Sequence, residues 1–389
     1  MSSRLIVNSI RHTGASGDAV TLANDGTCTA NITNRSNRNL IINGAMQVAQ
    51  RGTSTTDANS YTADRFKVQF SGVDENPTNA QVDVAAGTTP YTLGLRKCLK
   101  VTNGNQTSGA GADDYMFIKY VVEAQDTATS GWNFKTTGSS LTLSFWVKSS
   151  VAQNFYCYIE MPDSPEQVYP FETGNLSADT WTKVTKTIPG NSNIVVNNDT
   201  GEGLKLFINQ FWGTSFTDSG RNLNTWGGFS SAARMPDFTS TWYTTNDATF
   251  EITGVQLEVG SVATDFEHRS YGDELARCYR YYQRIDGSST NTIFGVGNVD
   301  GANQGQVLVT LGTPLRAKAS SMDTTGSSGD YKFRVTTTQG CDAVPTLHQG
   351  GFTQQFLEWH ANGHGFTSGQ AALGIAGNSS AFLGFSAEL

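Results

Sequence analysis

Alternation is the feature that most limits what this chain can become. SLTLSFWVKSS (residues 140–150), DDYMFIKYVVEAQ, QNFYCYIEM, EGLKLFINQFWG and ATFEITGVQLEVG each switch between apolar and polar residues with a period of two. That period belongs to a strand with one face buried, and the β-branched and aromatic content agrees. YTADRFKVQF, LRKCLKVTN and TWTKVTKTIPG read the same way, giving at least eight strands over about 220 residues. Clusters of Gly, Asn, Ser and Asp separate them and mark turns. No strict internal repeat appears, so a propeller or solenoid is disfavoured. The pattern predicts an all-β protein built on a large antiparallel jelly-roll sandwich.

Two smaller units flank it. Residues 1–38 hold two or three short alternating segments around RLIVNSI and AVTLAND, too few to bury a core alone. They predict a short β anchor that packs on another chain or on copies of itself. Residues 286–389 return to strands (TIFGVGNV, QGQVLVTLG, YKFRVTT, QFLEWH, AALGIA) divided by Gly-rich turns, and predict a smaller C-terminal β-sandwich knob. Between the two sandwiches, RSYGDELARCYRYYQRI predicts a connecting helix over residues 269–285. Ser270 with Asp273 makes a capping-box-like start, acids sit in the first turn and arginines in the last. Leu275, Cys278, Tyr279, Tyr282 and Ile285 fall on one face, and Asp273 is four residues from Arg277.

Several chemistries are poorly served. A formal charge of -8 with 15% charged residues offers little to a phosphate backbone, so no nucleic acid is expected as partner. No apolar run is long enough to span a bilayer, so no membrane insertion is expected, and the N-terminus lacks the apolar core of a signal peptide. The five cysteines are scattered without C-x-x-C spacing and read as free thiols. There is no Walker loop and no G-x-S-x-G elbow, and Gly295-Val-Gly297 lies between strands where a turn suffices. The acid pairs Asp113–Asp114, Glu123–Asp126 and Glu258–Asp265 sit at strand ends where carboxylates are ordinary. His360 and His364 flank an Asn-Gly turn rather than a helix face, so no metal is assigned. The expectation is no cofactor, no metal, no catalytic residue and no enzyme.

Carbohydrate binding suits the composition better. A sugar's apolar face stacks on a ring while polar loop groups read its hydroxyls. Trp212, Trp226 and Trp242 lie in Gly/Ser/Thr/Asn-rich surroundings, and Phe352 and Trp359 lie near the C-terminus. These five are the candidate carbohydrate-binding residues, while Trp146, inside a strand, is read as core.

NLIINGAMQVAQRG, YTADRF, SLTLSFWVKSS and the long string ITGVQLEVGSVATDFEHRSYGDELARCYRYYQR together resemble a module of bacteriophage tail-fibre and receptor-binding proteins. The match is to versions from phages of cyanobacteria and other marine bacteria, and RLIVNSIRHTGASGDAVTLANDGT resembles the opening of such fibres. The resemblance covers residues 1–285. It implies a virion-attached homotrimer, made in the host cytoplasm. In that arrangement residues 1–38 contact other virion proteins, 39–268 form a carbohydrate-binding-like jelly roll, and 286–389 a distal knob. The implied partner is a host cell-surface glycan, which a tail fibre would adsorb. Two alternatives stay open: a capsid-attached fibre or tail junction protein binding only virion neighbours, and a glycan-degrading appendage.

Overall fold

The computed structural model describes residues 37–389 together with 7–11, 13–14, 18–22 and 28–30. In the N-terminal part three short strands, Ser9–Ile10, Val20–Leu22 and Cys28–Ala30, form an antiparallel sheet. Ile10 and Leu22 stay 55% and 40% exposed, so this sheet buries little of its own apolar surface. The rest of the expected anchor lies outside the described residues.

The main body is a sandwich of two antiparallel sheets. One has six strands in the spatial order Thr182–Pro189, Ser140–Ser149, Thr249–Val259, Lys97–Thr102, Thr78–Asp83 and Ser54–Thr55. The other has seven, in the order Gly227–Gly228, Gln167–Asn175, Asn154–Met161, Glu202–Trp212, Tyr115–Glu123, Phe66–Ser71 and Ser60–Ala63. Alternation decides which side chains meet between the sheets. Leu141, Leu143, Phe145 and Val147 point inward from one sheet, and Met116, Ile118, Tyr120 and Val122 from the other, all buried in one core. Each such side chain contributes roughly 2 kcal/mol on leaving water. The same alternation corrects the reading of Trp146. With Phe145 and Val147 both fully buried, Trp146 must face outward, and it is only half-buried.

The C-terminal part is a second sandwich with its own core around Trp359, Tyr331, Phe333, Leu383 and Phe385. A seven-stranded sheet packs against a three-stranded one formed by Tyr282–Asp286, Phe382–Ser386 and Ser321–Asp323. The two-sandwich, all-β architecture therefore matches the alternation.

The connecting helix is shorter than its pattern suggests. It spans Tyr271–Cys278, with Ser270 as N-cap accepting from the Asp273 amide at 3.2 Å. Residues expected to continue it, Tyr282–Ile285, instead belong with Asp286 to a strand that pairs antiparallel with Phe382–Ser386. Pairing with the chain's last strand overrides a local preference worth only tenths of a kcal/mol per residue. Arg277, four residues from Asp273, donates to the Asn37 side chain at 2.5 Å.

The dense polar patch before the helix is a clamp. Glu267 accepts from the amides of Asn37 at 2.6 Å and Asn39 at 2.8 Å, and Arg269 donates to the carbonyls of Asn39 and Ile41. Glu274 accepts from the Asn43 amide at 2.5 Å. A second clamp joins the sandwiches. Arg65 is buried between the rings of Tyr281 and Tyr120, 3.3 and 5.3 Å from their centroids, and pairs with Glu388. Arg51 reaches the same carboxylate at 3.2 Å, and Arg316 donates to the Ala387 carbonyl at 2.6 Å.

Candidate functional site

The outward face of the seven-stranded sheet carries rings where water-facing polar residues are the norm. Its register aligns them. Tyr158 lies opposite Phe207, Phe207 opposite Lys119, and Lys119 opposite Lys67, one row across four strands. A second row sets Asn209 opposite Phe117 and Phe117 opposite Gln69. A bulge between Asn209 and Phe211 adds one residue to its strand. The extra residue turns Phe211 inward and brings Trp212 out opposite Tyr115. Asn209 then fixes the indole, accepting from Trp212 Nε1 at 3.0 Å while donating to the Tyr156 carbonyl at 2.9 Å.

The result is a layered aromatic platform. Trp212 is stacked on Phe117, with centroids 5.1 Å apart and planes 4° from parallel, and on Tyr115 at 5.0 Å. Phe216 meets Trp212 edge-on at 5.0 Å, and Tyr158 stacks on Phe207 at 4.3 Å. Arg234, from the long segment that follows, lies 4.7 Å over the Trp212 ring and 5.3 Å from Phe216 and Phe229. These groups line a shallow groove of about 340 Å³. A volume near that lower limit holds one or two sugar rings rather than a large cofactor.

One end of the groove is ionic. Lys119 and Lys205 both bind Glu202, at 2.8 and 2.7 Å, and Lys205 also binds Glu160 at 2.7 Å. Burial would raise Glu202, but the two ammonium groups hold it below the usual glutamate range. Glu166 behaves oppositely: burial first, then the Glu160 carboxylate within hydrogen-bonding reach, push it up to about 7. Lys67 is held below the ordinary lysine range by burial and by the charge of Lys119.

Of the five candidate residues, only Trp212 lines this groove, and its ring is itself 5% exposed, with Arg234 over it. Trp226 sits at the rim of the main core, its Nε1 donating to the Pro189 carbonyl at 2.7 Å and its ring against Tyr169. Trp242 and Trp359 are corrections: both are fully buried, so no ligand can stack on them. Trp242 donates to the Thr249 carbonyl within the main core, despite its polar neighbours in sequence. Trp359 points inward from the strand Gln354–His360 with Gln355 and Leu357. Phe352 is 51% exposed, but on the C-terminal sandwich, apart from the groove. Tyr115, Phe117, Tyr158, Phe207 and Arg234 were missed. For Tyr115 and Phe117 a signal was present: DDYMFIKYVVEAQ, read above as alternating, sets them beside the equally large Met116 and Ile118, so neither face of that strand is plainly solvated.

The acid pairs singled out in the sequence do structural work. Glu123 takes a two-point contact from Arg280 at 2.7 and 2.8 Å, Asp114 accepts from the Gly111 amide and Tyr243, and Glu258 caps Thr264. Glu358 lies 3.9 Å from His360, and His364 stacks on Phe366. Larger clefts exist, of about 770 Å³ along the helix and 680 Å³ between the sandwiches. In the second, Arg51 lies over Tyr61 and Tyr282 and Arg284 over Phe382, much as Arg234 lies over Trp212 in the groove. The first is lined mainly by the polar clamp residues.

No protein-family model and no curated protein sequence matches this chain. Solved structures with a similar arrangement include three glycan- or phage-related domains. The enzymatically active domain of tailspike protein 4 from bacteriophage CBA120 gives a TM-score of 0.31 at 10% identity. That match covers 57% of this chain and 22% of the tailspike chain. The N-terminal cellulose-binding domain of Cellulomonas fimi β-1,4-glucanase C gives 0.27 at 10% identity, covering 56% of this chain and 99% of that one. A family 11 carbohydrate-binding module from Clostridium thermocellum, in complex with a mixed-linked tetrasaccharide, gives 0.24 at 11%, covering 56% and 98%. Similarity at this level identifies no homologue and assigns no ligand.

Proposed function

We propose that this protein is a non-enzymatic, glycan-binding appendage of a bacteriophage virion, a homotrimeric tail fibre that adsorbs to host surface polysaccharide. The observation that carries the reading is the ring platform of Tyr115, Phe117, Trp212 and Phe216 on an outward sheet face, bordered by a cluster of charged side chains. Phe117 and Trp212, 4% and 5% exposed, belong to a second apolar cluster on that face, while Tyr115 and Phe216 at its edge are only partly buried. They offer a flat apolar surface with polar groups at its edge, which is what a pyranose presents in mirror image.

The spacing of Glu160 and Glu166 supports binding without cleavage. Glu160 and Glu166 lie within hydrogen-bonding reach of each other. Glycosidases hold their two carboxyls roughly 5 Å or more apart, so that a sugar or a water fits between them. A pair in mutual contact leaves no such room.

Two exposed apolar surfaces support assembly. The N-terminal sheet leaves Ile10 and Leu22 in solvent, suited to contact with virion proteins. On the C-terminal sheet, Leu373, Val296, Leu308 and Phe356 align in one row, with Val296 59% exposed, suited to contact between copies. Individually weak sites then act together at high effective concentration.

Incubation of the protein with fluorescent host-surface polysaccharide, followed by size analysis of the glycan, tests the reading. Retention of intact polymer by wild type, lost in Trp212→Ala and Tyr115→Ala, is expected. Shortened polymer would show a degrading appendage, and no retention would favour a junction protein. A stable monomer in solution-mass measurement would remove the trimer.

A further inference from the structure

The groove collects positive charge in a chain that is otherwise acidic. Lys67 and Lys119 sit directly opposite one another on neighbouring strands. Like charges in that position destabilise a sheet by tenths of a kcal/mol or more. Lys119 is compensated by Glu202, but Glu202 is shared with Lys205. Lys67 makes no ion pair with any described carboxylate, although it is half-buried. Arg234 likewise has no carboxylate within ion-pair distance among the described residues and lies over the platform itself. Lys119, Lys205 and Arg234 line the groove with Glu160, and Lys67 extends the row one strand beyond Lys119. The whole chain carries -8, so this local excess runs against the composition. Local rules broken without structural gain mark functional positions.

We infer that the ligand of the groove is an acidic polysaccharide, with a carboxylate or sulfate of one residue seated against Lys67 and Lys119 and the adjoining sugar ring lying on the platform beside Arg234. This rests on the glycan-binding reading of the same groove. A neutral glycan would be served by amides and hydroxyls, which accept and donate without a charge penalty when the site is empty. Here Gln69 is the one amide in the groove's lining beside its aromatic rings, and Lys119, Lys205, Arg234 and Glu160 are ionic. An anion joining the lysine pair relieves their repulsion, so the unfavourable row becomes a favourable one on binding. Its hydrogen bonds to two ammonium groups are charge-assisted, about twice as strong as neutral ones.

The test compares retention of four polymers by the full-length protein in affinity electrophoresis: polygalacturonate and dextran sulfate as acidic probes, dextran and xylan as neutral ones. Wild type is expected to retain one or both acidic polymers and to bind neutral ones at least tenfold more weakly, an estimate from the loss of one charge-assisted contact. Acidic binding should weaken with added salt, as screening requires. Lys67→Met should lower acidic binding roughly tenfold without loss of thermal stability, because it removes a repulsion. Lys183→Met, an equal change of charge on the opposite sheet, should leave binding unchanged. Wild type retaining neutral and acidic polymers alike overturns the acidic assignment while leaving the glycan groove intact. So does acidic binding that Lys67→Met leaves unchanged or Lys183→Met weakens equally. Retention of none of the four overturns the assignment and the glycan-binding reading together.

Discussion

Glu166 and Arg65 show how differently a half-buried and a fully buried charge can be settled. Glu166 is raised to about 7 by burial and then by Glu160, against 4.5 for an ordinary glutamate. The folded state thus holds a proton that the unfolded chain has released between those values, and this group's contribution to stability falls as pH rises through that window. Glu166→Gln removes the ionisation. The variant should be more stable than wild type at pH 8 and about equal below pH 4, by up to about 1 kcal/mol after allowance for solvent screening. Paired denaturant titrations at the two pH values measure the difference; an equal offset at both would remove the shared-proton account. Arg65 is the opposite case, a cation made tolerable by Glu388 and two tyrosine faces. Glu388→Ala leaves that guanidinium buried and uncompensated, which costs about 3 kcal/mol. Arg65→Met combined with Glu388→Ala should recover part of the loss, and a double-mutant cycle by chemical denaturation reads the coupling.

At the scale of elements, what sequence alone revealed depends on how local the cause is. The inward row Leu141, Leu143, Phe145 and Val147 follows from period two and needs no neighbour to be recognised. The helix start was equally local: Ser270→Ala should cost about 1 kcal/mol, read as a lower unfolding midpoint, because one amide loses its cap. The helix end was not local. Tyr282–Asp286 becomes a strand because Phe382–Ser386, about a hundred residues on, offers it an edge. The groove failed to show for the same reason. Tyr115, Tyr158 and Phe207 belong to three separated segments, and only strand order and register bring them together. Trp212 was found through its glycine neighbour and polar loop, yet its outward aim comes from the bulge at Asn209. Trp242 and Trp359 misled because polar neighbours in sequence say nothing about which side chain turns inward.

For the whole molecule, the central question is whether the sandwiches move as one. Each has its own apolar core, so each could unfold separately. The described contacts argue for coupling, and most of them converge on the last residues of the chain. Glu388 binds Arg65 and Arg51, Ala387 accepts from Arg316 and donates to the Tyr281 carbonyl at 2.8 Å, and Gln50 of the main sandwich donates to the Tyr282 carbonyl at 2.9 Å. Under the proposed fibre role such a joint would pass force along the chain, since a hinge there would dissipate orientation. Removing residues 387–389 takes only Ala387 from the C-terminal core while deleting most of these contacts. Calorimetry of wild type should then show one cooperative transition, and the truncated chain two, with the first at lower temperature. Limited proteolysis supplies the structural readout: cleavage near residues 279–287, slow in wild type, should become fast. A single unshifted transition in the truncated chain would mean that the remaining contacts, Gln50 with Tyr282 and Arg284 and Glu123 with Arg280, hold the sandwiches by themselves.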